Sequence, residues 1–493
     1  MGSSQPSPEN NSLYRDTQAD GGPDPQERII RIYAGKLYDP ESLELSPQRV
    51  ISVSPRLGLV LGVQPYSKED TDQVDFTRED EVDLRDAIVL PGFVDTHVHF
   101  FLHPYAETTW EDQLTQESLV ERTVRATVHA KRTLMAGYTT VRDLGTEGAE
   151  DADIQLRKCL SGPNPLIPGP RYFCANRAII ASGSYGPKSN LHLHQDGIDR
   201  VTGAEFADGE AECIKAVRKQ VGAGADWIKM SATSGNSDTA ATSEDYRVRT
   251  RMADVATKVS SSTIQTFAKN EIQALVKAAR QLGVKVAAHA NIWRADLLPE
   301  NGGVDTLEHG NDFGSDELLA SVKNSAIIWV PTLAVYYTND TAKAPGGPWH
   351  RTSQNFQRAL ASGIKNIACG GDTGPFPHGD NALEMKLMAR LGADWRYVLR
   401  WATLGGWQCV RSLAWEGAEG AVRLARIAEL QESPSVVGDN EVPFGVVKRG
   451  FAADIVATRG DFEADFEKAV DKTNITFVMK GGRIFKRDGR ELA

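Results

Sequence analysis

Short apolar, β-branched runs alternate with amphipathic stretches along most of the chain after about residue 85. Eight runs have the composition expected of buried strands: 87–99, 138–145, 170–180, 225–233, 285–290, 304–310, 326–335 and 365–374. Helix-like segments lie between them, several ending in glycine as helix carboxyl ends commonly do: 119–137, 209–224, 269–283 and 315–325. Strands that alternate with helices predict a parallel sheet covered on both faces.

Eight such units predict an α/β fold, a (β/α)8 TIM-like barrel whose site residues lie at the carboxyl ends of the strands. The flanking runs 28–39, 57–64, 444–460 and 475–489 read as glycine-punctuated strands without intervening helices. We expect segments from both chain ends to form one small β-sandwich domain. The predicted organisation is a disordered lead-in (1–27), a β-sandwich in two parts (28–88 and 436–493), and the barrel (89–435).

Two connections are longer than a barrel requires. The first, 182–208, follows the third predicted strand, and the second, 234–267, follows the fourth. Long loops in compact domains are commonly functional or disordered. Both emerge at the strand ends where the chemistry is expected, so we interpret them as substrate lids.

Composition excludes several classes of protein. Hydrophobic residues make up 41% of the 493, and no apolar run approaches the roughly 18 residues of a membrane span. A net charge of −11 argues against a nucleic-acid or anionic-membrane surface. Five scattered cysteines without a CxxC spacing suit reduced thiols, and residues 1–27 lack a secretory signal pattern. We therefore expect a cytoplasmic protein with a small-molecule partner.

Metal-competent side chains recur where the predicted strands end. In PGFVDTHVHF two histidines stand at i and i+2, so an extended strand aims both imidazoles to one side. The complete set is His97, His99, Lys229, His289, His309 and Asp372. One lone histidine would commonly be structural, but six groups at one rim of a barrel indicate a metal site. Two histidines that follow these strands, His103 and His378, could help at the rim, but a surface position is favoured for each.

Lys229 is the least obvious member of this set. In ADWIKMSATSG it shares a face with Trp227 and Ser231, and a bare ammonium near a metal would be repelled and costly to desolvate. Lys229 could pair with an acidic group, or its head could reach water. The sharper hypothesis is that the neutral amine adds CO₂ and becomes a carbamate, which is an anionic ligand able to bridge two metals.

Four imidazoles, one carbamate and Asp372 suffice for two divalent metal ions that share a hydroxide. Two cations lower the pKa of water toward about 7 and so supply a nucleophile at neutral pH. Asp372 is placed to act as the general acid and base of hydrolysis. The donor types favour zinc (Zn²⁺), although manganese, cobalt, nickel or iron would also fit.

The motifs PGFVDTHVHF, GYTTVRDLG, WIKMSATSG, AAHAN, LEHG, VPTLAV and GGDTG, with the closing KRGFAADIVA and VMKGGRIF, resemble those of the amidohydrolase superfamily. The resemblance covers nearly all of residues 28–493. It is to the prolidase-like and imidazolonepropionase-like branch with two metals and a carboxylated lysine, a branch that includes dipeptidases and ochratoxinase-type amidases.

The resemblance implies a division of the ligands. His97, His99 and Asp372 would hold the more buried metal, His289 and His309 the second, and carboxylated Lys229 would bridge them. It also implies hydrolysis of an amide bond, in an N-acyl amino acid, a dipeptide or an aryl amide, and a homo-oligomer.

Candidate substrate-binding residues follow from departures from the motifs of this branch and from residue type. Tyr185 stands where many members of this branch carry a histidine, and His192 follows in the same loop. Tyr246 and Arg249 could clamp an anionic group, because arginine binds carboxylates bidentately, although a solvated charged loop explains them equally. Tyr336 could line the pocket or pack beneath a helix.

Other functions stay open on the same scaffold. A one-metal deaminase would keep the histidines and Asp372 but would not need Lys229. A lactone hydrolase or a decarboxylase could use the same metals with a different pocket. A non-enzymatic scaffold is disfavoured, because all six metal-binding positions are present.

Overall fold

A computed structural model describes residues 28–162, 165–182, 184, 203–235, 263–340, 343–429 and 439–492. Within those ranges, none of the helices is both long enough and apolar enough to cross a bilayer.

The two chain ends share one eight-stranded sheet. Its strands are β1 (Ile30–Asp39), β2 (Glu44–Ser54), β3 (Leu59–Pro65), β4 (Glu81–Pro91), β16 (Ile455–Thr458), β17 (Ile475–Lys480), β18 (Arg483–Arg487) and β19 (Arg490–Glu491). Their order is β19-β18-β17-β16-β4-β1-β2-β3. The junction between the ends is the antiparallel pair of β4 and β16, in which Pro91 faces Ile455. The flanking runs had not indicated β2 or β4 as separate strands.

The central strands form two sheets in which every pair is parallel. One sheet has the order β5-β6-β7 and the other β15-β14-β13-β10-β8-β9. The strands are β5 (Phe93–Val98), β6 (Tyr138–Asp143), β7 (Arg171–Cys174), β8 (Ala178–Ile180), β9 (Ala204–Phe206), β10 (Trp227–Ser231), β13 (Lys285–Ile292), β14 (Thr306–Asp312) and β15 (Ile328–Val330). A separate antiparallel pair joins β11 (Thr233–Gly235) to β12 (Thr263–Gln265).

Helices connect most of these strands. They are α1 (Lys68–Thr71), α2 (Trp110–Thr115), α3 (Leu119–Met135), α4 (Ala152–Leu160), α5 (Gly209–Ala223), α6 (Lys269–Gln281), α7 (Asp316–Asn324), α8 (Leu333–Asn339), α9 (Pro348–Ser362), α10 (Leu383–Arg390), α11 (Trp395–Trp401), α12 (Leu404–Val410), α13 (Gly417–Ala428) and α14 (Phe466–Ala469). The four predicted helices correspond to α3, α5, α6 and α7. Ser118 caps α3 by accepting from the Glu121 N–H at 3.2 Å, and Gly224 ends α5 with a φ of 115°.

Four predicted strands differ from the structure. The run 87–99 is two strands, because β4 joins the terminal sheet and the chain turns at Gly92, where a Cβ would lie 2.0 Å from Thr139 Oγ1. The run 170–180 is also divided, between β7 and β8, at Asn176 with a φ of 60°. The second half of 326–335 is helical, and 365–374 forms only isolated bridges.

Strand alternation decides which residues face the site. In β10, Ile228 and Met230 belong to the large apolar core beneath the helices, whereas Trp227 packs in a separate small cluster with Ala287 of β13. Because side chains alternate along a strand, Lys229 lies on the Trp227 side, away from the helices. Parallel pairing places Ser231 opposite His289.

Candidate metal centre

Three side chains from distant parts of the chain meet at the carboxyl ends of the parallel strands. Ligand atoms of His97, His309 and Asp372 all lie within 4.8 Å of one another. His97 is in β5, His309 is in β14, and Asp372 belongs to the segment that bridges to Val98 through Thr373. The His97 Nε2 atom lies 3.6 Å from Asp372 Oδ1.

Two further imidazoles join this cluster. The Nε2 atom of His99 lies 3.2 Å from Asp372 Oδ1, and its ring centroid is 5.3 Å from that of His97. The ring of His289 is 4.3 Å from that of His309. Four histidines and one carboxylate, which lie up to 275 positions apart in sequence, therefore share one space.

In three of the imidazoles the Nδ1 atom forms a hydrogen bond with a residue outside the cluster. The partners are Glu308 Oε2 for His97 at 2.9 Å, the Gly145 carbonyl for His99 at 2.9 Å, and Thr332 Oγ1 for His309 at 2.8 Å. Such outer partners orient metal-binding histidines and set their tautomer. The arrangement leaves Nε2 for the centre, so the donor set fits divalent metal ions with imidazole and carboxylate ligands.

Lys229 is buried beside this cluster, with only 5% of its surface exposed. Burial lowers its pKa, while the charges of Glu308 and Asp372 act in the opposite direction. The charge of Lys229 contributes in turn, after burial, to lowering the pKa of His97. A buried amine with a lowered pKa favours the neutral form that carbamate formation needs.

Asp372 and His99 each shift the pKa of the other. Burial acts to lower the pKa of His99, but the hydrogen bond and charge of Asp372 outweigh it and raise this pKa to about 9. For Asp372 burial acts to raise the pKa, and the neighbouring His97 and His99 outweigh it, so the net shift is downward. The aspartate is therefore ionised at neutral pH.

Three residues at the centre have a left-handed backbone conformation. His309 and Asp372 have φ angles of 74° and 58°, and Thr332, which contacts His309, has a φ of 50°. Non-glycine residues in the left-handed region are uncommon and cluster at functional sites.

Asp95 of β5 connects His97 to the segment that carries Asp372. Its carboxylate accepts from Asn381 Nδ2 at 2.7 Å, the Thr373 hydroxyl at 3.2 Å and the Gly371 N–H at 3.3 Å. It also accepts from the His97 N–H at 3.1 Å, and burial raises its pKa to about 6. One side chain thus sets the position of one ligand against another.

Glu384 of α10 organises the opposite side of the centre. Its Oε2 atom accepts from the Ala334 N–H at 2.7 Å, in the first turn of α8, directly after Thr332. Glu384 is 0% exposed, and burial raises its pKa to about 8. A neutral carboxyl therefore holds the helix whose preceding residue contacts His309.

Glu384→Gln is expected to flatten the pH dependence of the free energy of unfolding between about pH 4 and 8. The carboxyl loses its proton near pH 4.3 when unfolded and near 8 when folded. The folded state binds more protons in this window, so wild-type stability falls as pH rises, by at most about 1.4 kcal/mol per unit. Urea unfolding of both proteins across this window measures the difference. Equal slopes of unfolding free energy against pH in the two proteins would contradict this prediction.

The predicted substrate contacts divide into two groups. Tyr185, His192, Tyr246 and Arg249 lie outside the described residues, as does most of both long loops. Tyr336 is buried in α8, with its ring 6.0 Å from that of His309.

The Tyr336 hydroxyl donates to Asn291 Oδ1 at 3.3 Å. Its neighbour Tyr337 instead packs on Trp349, with ring centroids 5.1 Å apart. Tyr336 thus lies beside the cluster, and its contact with substrate stays a prediction.

The surface positions predicted for His103 and His378 are wrong, since both are at most 3% exposed. His103 is held between Glu107 and Glu117, at 3.1 Å and 2.7 Å. His378 stacks on His129 with ring centroids 4.2 Å apart. Local polarity suggested the surface, but tertiary partners satisfy these rings inside.

Sequence reasoning missed the outer partners Glu308 and Thr332, and also Arg142, which donates to Glu308. For Glu308 and Arg142 the available signal was a charged residue inside an apolar strand, as in DTLEHG and TTVRDLG, because a buried charge requires a partner. The pattern could not show which partner it was.

Comparison with known proteins agrees with this geometry. Residues 88–412 match the sequence profile of the amidohydrolase family. The chain is 24% identical over 435 residues to ochratoxinase of Aspergillus niger, covering 84% of this chain and 79% of that protein. The crystal structure of A. niger ochratoxinase is similar with a TM-score of 0.69 at 20% identity, covering 93% of this chain and 96% of that one.

A second solved structure is similar over an equal share of the chain. It is a Xaa-Pro dipeptidase with methionine bound in its active site, with a TM-score of 0.67 at 24% identity, covering 93% of this chain and all of that one. These likenesses show a TIM-barrel-like α/β fold.

Proposed function

Since this chain belongs to the amidohydrolase family and is a hydrolase of carbon–nitrogen amide bonds, we propose that it acts on a small molecule at a centre of two divalent metal ions. One observation carries this proposal: the side chains of His97, His99, His309 and Asp372 converge, and the Nδ1 atom of each histidine is hydrogen-bonded to a residue outside the cluster. The proposed substrates are N-acyl amino acids, dipeptides or aryl amides. This choice of substrates is supported by the names of two similar proteins, ochratoxinase and a Xaa-Pro dipeptidase.

The residues divide between two ions as follows. His97, His99 and Asp372 would hold the first, and His289 and His309 the second. Lys229, as its carbamate, would contact both. Imidazole and carboxylate donors suit zinc, and we propose Zn²⁺ for both positions.

Bound metals would lower the pKa of a water and polarise the scissile carbonyl. Asp372, ionised at neutral pH, would accept a proton from the attacking water as the water oxygen bonds to the carbonyl carbon. Asp372 would then deliver that proton to the leaving nitrogen as the carbon–nitrogen bond breaks. The Nδ1 contacts keep His97 and His99 from turning away during this cycle.

We propose that the eight predicted strand segments close into a barrel. The isolated bridges Trp329–Ile367 and Val98–Thr373 support this, because they connect residues 365–374 to both sheets. We also propose that the terminal sheet folds into a small β-sandwich, which comprises residues 28–88 and 436–493. The barrel then comprises residues 89–435. Cytoplasmic location, homo-oligomeric assembly and the absence of nucleic-acid and membrane partners complete the proposal.

Chelation followed by metal replacement tests the function. Removal of metal is expected to abolish hydrolysis of the best substrate from a library of N-acyl amino acids, dipeptides and aryl amides. Zn²⁺ should restore it, with about two ions per chain by elemental analysis. Matched esters and lactones distinguish a lactone hydrolase, and ammonia release without a second organic product distinguishes a deaminase. Full activity of the metal-free protein would contradict the proposal.

A further inference from the structure

We propose that Arg142 and Glu308 form a buried positioning pair that fixes the orientation and donor strength of His97. This inference rests on the metal centre proposed above and goes beyond its ligands. Glu308 contacts His97 at Nδ1, and Arg142 contacts Glu308. Both would act through the imidazole.

The contacts form one continuous chain. Arg142 Nη2 donates to Glu308 Oε1 at 2.8 Å, and Glu308 Oε2 lies 2.9 Å from His97 Nδ1. Arg142 and Glu308 are each 0% exposed. Since a carboxylate only accepts, the Nδ1 of His97 carries the hydrogen, and its Nε2 lone pair faces the centre.

Arg142 is held on every side. Its Nε donates to the Thr96 carbonyl at 2.7 Å and its Nη1 to Thr306 Oγ1 at 3.1 Å. Its guanidinium carbon lies 4.4 Å above the centre of the Trp227 ring. The Thr306 hydroxyl donates to Glu308 Oε1 at 2.6 Å. The pair therefore has one geometry, and Arg142 also anchors the backbone next to His97.

His97 differs from His99 and His309 in the partner of its Nδ1 atom. Among the described contacts, the Nδ1 of His99 meets a carbonyl and that of His309 a hydroxyl, whereas the Nδ1 of His97 meets a carboxylate. A carboxylate partner makes the imidazole a stronger metal donor. A fully buried ion pair is commonly no more stabilising than apolar residues of equal size, so stability alone does not account for it.

Metal affinity of the full-length protein tests the pair. Glu308→Gln keeps the shape and removes the charge, and metal-free protein titrated with Zn²⁺ or Co²⁺ is expected to bind about 10- to 100-fold more weakly. Its Co²⁺ absorption spectrum should also change. Glu308→Asp, which retains the charge on a shorter side chain, should recover part of the affinity.

A second buried ion pair offers a matched control. Arg171 and Asp454 are at most 3% exposed and 2.9 Å apart, and they connect β7 to the terminal sheet. Asp454→Asn should lower thermal stability while leaving metal affinity and the Co²⁺ spectrum unchanged.

The outcomes separate the two proposals. Wild-type protein that binds no metal overturns the proposed function. Wild-type binding with equal affinity and spectrum in Glu308→Gln overturns the positioning pair alone. Should Glu308→Gln fail to fold by circular dichroism, Thr306→Val decides, because it removes one hydrogen bond to each partner and no charge. A weaker metal affinity supports the pair, and an unchanged affinity overturns it.

Discussion

Asp372→Asn is expected to lower kcat by about 10²- to 10⁴-fold, the range that general acid–base groups contribute. The carboxylate lies 3.2 Å from His99 Nε2 and 3.6 Å from His97 Nε2, and these imidazoles keep its pKa below the usual range. Asparagine retains the shape but cannot take up a proton. Steady-state kinetics on the best amide substrate measures the loss.

Metal content must accompany this measurement, because Asp372 is also a proposed ligand. A variant that keeps its metals but loses kcat isolates the proton transfer, and one that loses metal reveals the ligand role. Asp316→Asn is a control, since this carboxylate is 86% exposed on α7 and should leave kcat unchanged. Undiminished turnover by fully metal-loaded Asp372→Asn would contradict the assigned role.

Lys229→Met is expected to lower activity by about 10³-fold, because several kcal/mol of transition-state stabilisation depend on the metals that the carbamate would hold. The neutral Nζ attacks the carbon of CO₂ and releases a proton, which leaves an anionic carbamate. Wild-type protein reconstituted with metal and ¹³C-bicarbonate should show one labelled carbamate per chain by NMR. The variant should show none, and wild-type activity should fall in CO₂-free buffer.

Lys285 serves as the control for the prediction at Lys229. It is also buried in a parallel strand, and burial lowers its pKa. Its Nζ, however, contacts Glu416 Oε1 at 2.5 Å, so we expect it to keep its proton. Lys285→Met should therefore retain the labelled carbamate. Loss of the signal in this variant, or its persistence in Lys229→Met, would contradict the assignment.

The helices were the most predictable part of the fold. Segments 119–137 and 269–283 match α3 and α6 within two residues at either end, because caps and apolar periodicity are local signals. The strands were predicted less well. The run 326–335 is continuous and apolar, yet it forms a three-residue strand followed by α8, since periodicity does not distinguish buried strands from buried helices.

The sequence by itself determined which chemistry is available: four histidines, a lysine and an aspartate at the ends of apolar runs, where parallel strands present their residues. That pattern is local, because it depends on strand alternation and on the direction of each strand. Only the tertiary structure decided the partners. Glu308 meets His97 and Arg142 across 211 and 166 positions, and Asp95 meets Asn381 across 286. Hydrogen bonds between distant segments depend on how strands are ordered and packed, which no local pattern encodes.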